Sequence, residues 1–491
     1  MKRYFKTIIA MIFLASLASC RKGFLDIVPK GSQVAVTTAD YDLLMNSSSF
    51  YFYQGGGGLR EFVLMGDEIA AESSLFGKQG SQYGVLAPKA FQWLGPIYDV
   101  ATTSQDLQTQ TVNMYTLNKI INEVTGSAEG SDAQKKSLQG EAKATRAFLN
   151  FFWVNSYGKP YQASSADSDP AFPLITEASI TTKSFTRASV KEMYDAIIKD
   201  LTDAIPVLPL RNTAQTRMSK PAAEAILAKV YLFMGRYSDA ATWIKTAFND
   251  LTAAAMPVRL YDYNVEFAPG GSFLPVNSFT GPNGPGNNYN DFTESVLAKT
   301  YKGGSYDGNG FENDGLVLTP AAAALYGSTD LRLNFYTNMQ PSGIPNPGGR
   351  LRKYGLTYVK FGVELSDMYL VSAECKARTN DLSGAVSDVE TLRRKRMPSA
   401  DAKVPGAVAG NQAALTKFII EERIREFAFT GFRWCDMRRL STDPLYAGAA
   451  YTHTLYDPLS NTVYTLKQPD RWVLQIPPVY INANPGMVNN P

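Results

Sequence analysis

The stretch ILAKVYLFMGRYSDAATWIKTAF, residues 226–248, reads as two helical runs meeting at one glycine. Leu232, Gly235 and Ala240 sit where two antiparallel helices must turn and touch, and small residues there let the backbones approach closely. The pattern returns in SAECKARTNDLSGAVSDVETLRRKR, residues 372–396, where Ala377 and Ala385 flank a Thr-Asn-Asp turn. A helical hairpin of this kind cannot bury its apolar face alone, so several must stack. That requirement constrains the whole chain to a helical array.

Other segments supply more helices. In SVKEMYDAIIKDLTDAIPVLP, Val190, Tyr194, Ile197, Ile198, Leu201 and Ile205 share one face. SDAQKKSLQGEAKATRAFLNFFWVNSYG is capped at Ser131 and stopped by Gly158-Lys159-Pro160. PIYDVATTSQDLQTQTVNMYTLNKIINEV reads as a long helical stretch, and residues 38–50 as a shorter one. Ser219, with Pro221 early in the helix, opens the segment that leads into the first hairpin. The hairpin junction resembles that of tetratricopeptide repeats. The fold expected is therefore mainly α: a tetratricopeptide-like superhelix over about 97–253 and 351–441. Loop-rich regions cover about 38–96, 254–350 and 442–491. The middle one is dense in Gly, Pro and Asn, which forbids long helices and suits a binding portion. The Pro-rich C-terminus is expected to pack back over the scaffold.

The first residues read as a targeting segment. MKRYFK is basic, TIIAMIFLASLAS is apolar and uncharged, and Leu17-Ala18-Ser19-Cys20 looks like a bacterial lipobox. The expectation is a signal peptide over 1–19 and acylation of Cys20 by several chains, palmitate among them, which anchor stably together where one would be marginal. Loss of Lys2, Arg3 and Lys6 would leave 45 of 48 basic residues against 45 acidic ones. A formally neutral chain offers no broad nucleic-acid surface. Two further cysteines, Cys375 and Cys435, make no disulfide framework and are expected as buried thiols. The lone histidine, His453, removes multi-histidine metal sites, and no GxSxG accompanies it.

Several motifs then line up in order: the lipobox followed by FLDIVP; QWLGPIYD; GEAKATRAFLNFFWVNSYGKPY; FTRASVKEMYDAIIKDLTDAIPVLP; SKPAAEAILAKVYLFMGRYSDA; LTPAAAALYGSTDLR; EERIREFAFTGFRWCDMRR; and LQIPPVYINANPGMVNNP. Together they resemble the SusD/RagB family of outer-membrane nutrient-binding lipoproteins over 20–491. The resemblance implies a non-enzymatic, cofactor-free protein, anchored by lipid and facing the cell surface. It would bind oligosaccharides, or in some members peptides, for a SusC-like TonB-dependent transporter. Two departures are visible. Arg21-Lys22-Gly23 stands where many surface-exposed relatives have an acidic stretch, and the lead-in to Glu374 is altered.

Sugar rings stack on aromatic faces while their hydroxyls meet short polar groups. The loop candidates are Tyr51, Tyr53, Phe76 and Tyr83, then Tyr263, Phe273, Phe279, Tyr289, Phe292 and Tyr306, with Asn287, Asn288 and Asn290 as polar company. Trp93 lies in a helical motif that favours the core. In SYDGNGFENDG, Asp307 and Asn309 fit a calcium loop, but Phe311 stands where a third oxygen ligand belongs, so no metal is expected. The charge-rich EERIREFAFTGFRWCDMRRL reads as a helix start and its extension. Glu421 with Arg425 and Arg433 with Asp436 are spaced to pair, forming a structural ion-pair cluster beside an apolar stripe. Two other readings remain: a surface glycoside hydrolase using a carboxylate pair from this segment, and a purely structural helical scaffold.

Overall fold

Serine side chains cap the earlier scaffold helices. Ser131 Oγ accepts from the Gln134 amide and Ser189 Oγ from the Glu192 amide, each with the return bond of a capping box. Ser219 opens its helix without a side-chain cap, and Pro221 stands in the first turn, where no amide is needed. The computed structural model describes residues 35–53, 60–76, 86–100, 103–182, 184–302, 315–340, 342–354 and 357–491. Among them are ten α-helices of eight residues or more: α1 Thr38–Met45, α2 Gln105–Glu123, α3 Asp132–Tyr157, α4 Val190–Ala204, α5 Lys220–Phe233, α6 Tyr237–Ala253, α7 Leu365–Arg378, α8 Leu382–Arg393, α9 Gln412–Phe427 and α10 Phe432–Leu440.

The hairpins form as read. α3 packs on α4, α5 on α6 and α7 on α8, while α7 also meets α6 and α9. Gly235, at φ +73°, turns the chain between α5 and α6, and Asn380, at φ +68°, does so between α7 and α8. These are left-handed conformations that Gly and Asn tolerate best. Ala240, Ala377 and Ala385 are fully buried at the contacts. α2 begins later than its pattern suggests, because Ser104 caps it, its Oγ accepting from the Leu107 amide. Cys375 and Cys435 are buried free thiols.

The loop-rich regions carry short strands that pair with one another. β2 (Ile69–Glu72) lies between β5 (Leu316–Leu318) and β10 (Thr452–Tyr456), with β11 (Thr462–Thr465) outside, so three remote segments share one sheet. A second sheet joins β1 (Phe52–Tyr53) in parallel to β4 (Thr300–Lys302), which is antiparallel to β8 (Tyr358–Lys360). β3 (Ser295–Leu297) pairs with β9 (Val363–Glu364), and β6 (Tyr336–Thr337) with β7 (Arg352–Lys353). The C-terminus returns to α3, where the Leu474 amide donates to Ser156 O and Asn490 Nδ2 to Tyr157 O.

The charge-rich segment departs from its sequence reading. The helix breaks after Phe427, with Phe429 at φ +66° and Gly431 at φ +89°, before α10 begins. Arg433 pairs with Asp67 rather than with Asp436, and Asp436 instead receives Arg423 and Arg439. Glu421 does meet Arg425, at 3.9 Å, but it is the exposed member of the cluster. The buried centre is Glu422, which accepts from Arg332 (2.7 Å), Arg393 (2.7 Å) and Arg425 (2.8 Å). One turn on, Glu426 accepts from Arg396 (2.8 Å) and Arg332 (3.0 Å), and Arg396 reaches Glu294 of the middle loop region at 2.9 Å. A second network runs Lys229–Asp367–Arg423–Asp436–Arg439–Glu374 across α5, α7, α9 and α10.

Removing one partner from such a network strands buried charge. Glu422→Gln is expected to cost about 3–5 kcal/mol of stability in urea unfolding at neutral pH. Burial alone would raise the Glu422 pKa, but Arg332, Arg425 and Arg393 overcome it and hold the carboxyl at about 2, below its ordinary 4.5. The folded form therefore binds this proton more weakly than the unfolded chain. The contribution is complete above pH 4.5 and is lost as pH falls toward 2. A stability profile over that window should be shallower for Glu422→Gln than for the parent protein.

Candidate functional site

Alternation along the β1–β4–β8 sheet divides its side chains between two faces. Tyr53, Tyr301 and Val359 are aligned across the three strands and point inward. Tyr53 is 3% exposed and meets Phe361 edge-on at 5.4 Å. Phe52, Tyr358 and Lys360 take the opposite face. There the Phe52 ring lies 5.3 Å from Tyr289 and 5.9 Å from Tyr358, and Tyr289 lies 5.7 Å from Tyr358. Tyr289 is 40% exposed, and Phe52 and Tyr358 are half-buried. Lys360 Nζ donates to Tyr289 O (2.8 Å) and Thr300 Oγ1 (3.1 Å) and stands 5.1 Å from the Phe292 ring centre. The result is a three-ring aromatic platform edged by a lysine.

A cavity of about 160 Å³ opens beside the platform. A water needs roughly 10–15 Å³ by the same kind of measure, so a sugar-sized group has room. Tyr358 and Lys360 belong to both the platform and the cavity wall, which Tyr261, Tyr263, Phe335, Lys353, Glu364 and Glu426 continue. Tyr261 donates its hydroxyl to Asp291 Oδ2 at 2.7 Å. Glu364 accepts from Ser295 Oγ at 2.9 Å, and burial drives its pKa upward. Desolvation lowers Lys353 to about 8, and its Nζ donates to Ala428 O at 2.8 Å. A larger cavity, about 490 Å³, lies by Asp67, Lys417 and Arg433, but among the described residues Tyr446 is the only aromatic ring on its wall.

The loop candidates scatter. Tyr289 and Phe292 reach the platform, and Tyr263 lines the cavity. Tyr51 is half-buried, and its carbonyl accepts from the Thr300 amide. Tyr53, Phe76 and Phe273 are buried: Tyr53 because strand alternation turns it inward, Phe76 against Phe91 at 5.0 Å, and Phe273 within a cluster of Tyr261, Tyr263, Phe267 and Phe335. Phe279 is 48% exposed on the Asn277–Gly281 turn, away from the cavity lining. Asn287 donates to Pro282 O and Asn288 accepts from the Asn290 amide, so both brace the loop that carries Tyr289. Cys20, Tyr83, Tyr306 and the Asp307–Asn309 loop lie outside the described residues. Phe52, Tyr358, Lys353 and Lys360 were not singled out in the sequence. The alternating YFY at 51–53 and YVK at 358–360 were the signals that could have found the first, second and fourth.

His453 is fully buried, stacked 4.4 Å from Phe91 and 3.9 Å from Trp93, with its ring nitrogens facing Phe91 O and Gly66 O. Trp93 is itself core, 3% exposed. Among the described residues no group of three His, Cys, Asp or Glu side chains could hold a metal, and no helix is long and apolar enough to cross a membrane. The two-faced sheet gives a direct test. Tyr53→Ala should destabilise by about 3 kcal/mol or more, as for a buried aromatic. Phe52→Ala, one residue away, should cost about 1 kcal/mol or less, read by thermal melting.

Comparison with known proteins follows the same lines. Residues 97–232 match a family model described as starch-binding and associating with the outer membrane, and residues 364–491 match that of the SusD family. A search of curated proteins gives no match. Among solved structures, a SusD superfamily protein of Bacteroides thetaiotaomicron superposes with a TM-score of 0.69 at 18% identity, covering 93% of this chain and 100% of that one. A SusD-like carbohydrate-binding protein of Bacteroides vulgatus gives 0.63 at 15% identity, covering 92% and 97%. A laminarin-binding SusD-like protein gives 0.61 at 17%, covering 93% and 99%. At such identities the superpositions speak for the fold, a tetratricopeptide-like helical scaffold. The two family matches, over 97–232 and 364–491, place the chain in the SusD/RagB family.

Proposed function

We propose that this protein captures oligosaccharides at the outer membrane and passes them to a SusC-like TonB-dependent transporter, without acting on them chemically. In this reading Cys20 carries the lipid anchor and the protein faces the cell surface. The observation that carries it is the platform of Phe52, Tyr289 and Tyr358 beside a largely apolar cavity with a few charged and hydroxyl groups on its wall. Apolar sugar faces stack on such rings, and convergent polar groups orient the hydroxyls. Family membership and the carbohydrate-binding and laminarin-binding relatives support the same reading. Two of its three rings, Phe52 and Tyr358, stand on strands held by the scaffold, and the loop that carries Tyr289 is braced by Asn287 and Asn288, so little ordering cost attends binding.

The test is calorimetry of the purified protein against a panel of oligosaccharides that includes laminarin and starch fragments. At least one should bind. Tyr289→Ala and Tyr358→Ala should each weaken that binding about three- to tenfold, the worth of one aromatic contact. Sugars released on prolonged incubation, or binding of peptides alone, would overturn the reading. In cells, Cys20→Ala should move the protein from the outer-membrane fraction to a soluble one, seen by fractionation and blotting.

A further inference from the structure

We propose that the site takes an acidic sugar, one bearing a carboxylate or a sulfate ester, with Lys353 and Lys360 as its counter-charges. The inference rests on the glycan-capture reading above and names the ligand class within it.

The cations around the cavity fall into two groups. The arginines are matched by acids: Arg332 by Asp330, Glu422 and Glu426, and Arg425 by Glu422. The two lysines are not. Lys353 Nζ donates to Ala428 O, and Lys360 Nζ to Tyr289 O and Thr300 Oγ1, all neutral oxygens. Among the described residues no carboxylate oxygen lies within 4.0 Å of either ammonium. An ammonium has three hydrogens to donate, so each lysine keeps at least one for a ligand.

The acids on the wall are already engaged. Glu294 and Glu426 are held by Arg396. Asp291 accepts from the Tyr261 hydroxyl and the Thr293 amide. Glu364 is bonded to Ser295, and burial favours its neutral form, which can itself donate. Desolvation lowers both lysines, Lys353 to about 8, even though Glu426 and Glu68 act on Lys353 and Glu364 and Asp291 on Lys360 in the opposite sense; none of these carboxylates pairs with either ammonium. A ligand anion would supply that missing charge in a poorly hydrated place, where attraction is strong.

The strand geometry sets the two recognition elements side by side. Tyr358 and Lys360 are two residues apart on β8 and so share a face, roughly 6.6 Å apart along the strand. A sugar stacked on Tyr358 can turn its acidic group toward Lys360 and the cavity, where Lys353 waits. The hydroxyls of a neutral sugar would accept from these ammoniums too, but only an acidic group would balance their charge.

Calorimetry on the intact protein tests this with oligomers of galacturonate, glucuronate and mannuronate, a sulfated galactan tetrasaccharide, methyl-esterified oligogalacturonate, and neutral laminari- and malto-oligosaccharides. At least one acidic arm should bind roughly tenfold or more tightly than the neutral sugars, the effect of charge-assisted hydrogen bonds. The arm that binds separates carboxylate from sulfate. Lys353→Met and Lys360→Met should each bring the acidic-to-neutral ratio toward one, and Lys353→Arg should restore it in part, with melting curves confirming that each variant is folded. Neutral sugars binding as tightly as acidic ones would overturn the inference and leave glycan capture standing. So would an acidic preference that survives in both Met variants. Binding of acidic peptides alone, or of no sugar at all, would overturn glycan capture and the inference with it.

Discussion

Glu422 is the point on which the scaffold and the site both depend. Three guanidiniums converge on its buried carboxylate from different parts of the chain: Arg332 in the middle loop region, Arg393 at the end of α8, and Arg425 one turn along its own helix. Removing ions from water is costly, and only close, multiple pairing offsets it. The arrangement is therefore all or nothing. With every member in place the loop region is fixed to α8 and α9. With one missing, several charges are stranded together. Arg332 and Glu426 belong to this network and also line the cavity. The shape of the site is thus set by the same ion pairs that close the fold.

The helical hairpins could be read directly because their information is local. A glycine or asparagine at the turn, small residues at the contact and a serine at the cap each act within a few positions. The charge-rich segment was half legible for the complementary reason. Spacing within a helix predicts Glu421 with Arg425, and that pair exists at 3.9 Å on the surface. Spacing carries no information about Arg332, which reaches Glu422 across 90 residues, or about Asp67, which takes Arg433 across 366. The break at Phe429–Gly431 had one visible sign, the glycine, inside a run whose residues otherwise favour a single helix.

The site was less legible than the fold. Loop aromatics identified Tyr289 and Phe292, but composition cannot tell which rings converge. What distinguishes Phe52 from Tyr53 is the two-residue period of a strand only two residues long, and that strand exists because Thr300 and Tyr301 lie beside it. The register that brings Phe52, Thr300 and Lys360 into line joins three segments far apart in sequence. Parallel pairing of β1 with β4 has no hairpin to announce it. Lys353 and Lys360 were passed over because lysine in a polar loop is ordinarily a solvated residue.

Strands of two and three residues cannot hold a platform in place by their own hydrogen bonds. Their order must come from what lies beneath, and here that is explicit. The inward face of the sheet, Tyr53 and Tyr301, packs on Phe361, which in turn meets Phe148 and Phe152 of α3. Tyr301 also donates its hydroxyl to Thr430 O in the break between α9 and α10. Lys353 bonds Ala428 O in the same break. The interruption of that helix is thus a structural requirement of the site. A continuous helix from Glu421 to Leu440 would tie up both carbonyls in its own ladder. Broken there, it offers one to the platform strand and one to the lysine at the cavity wall.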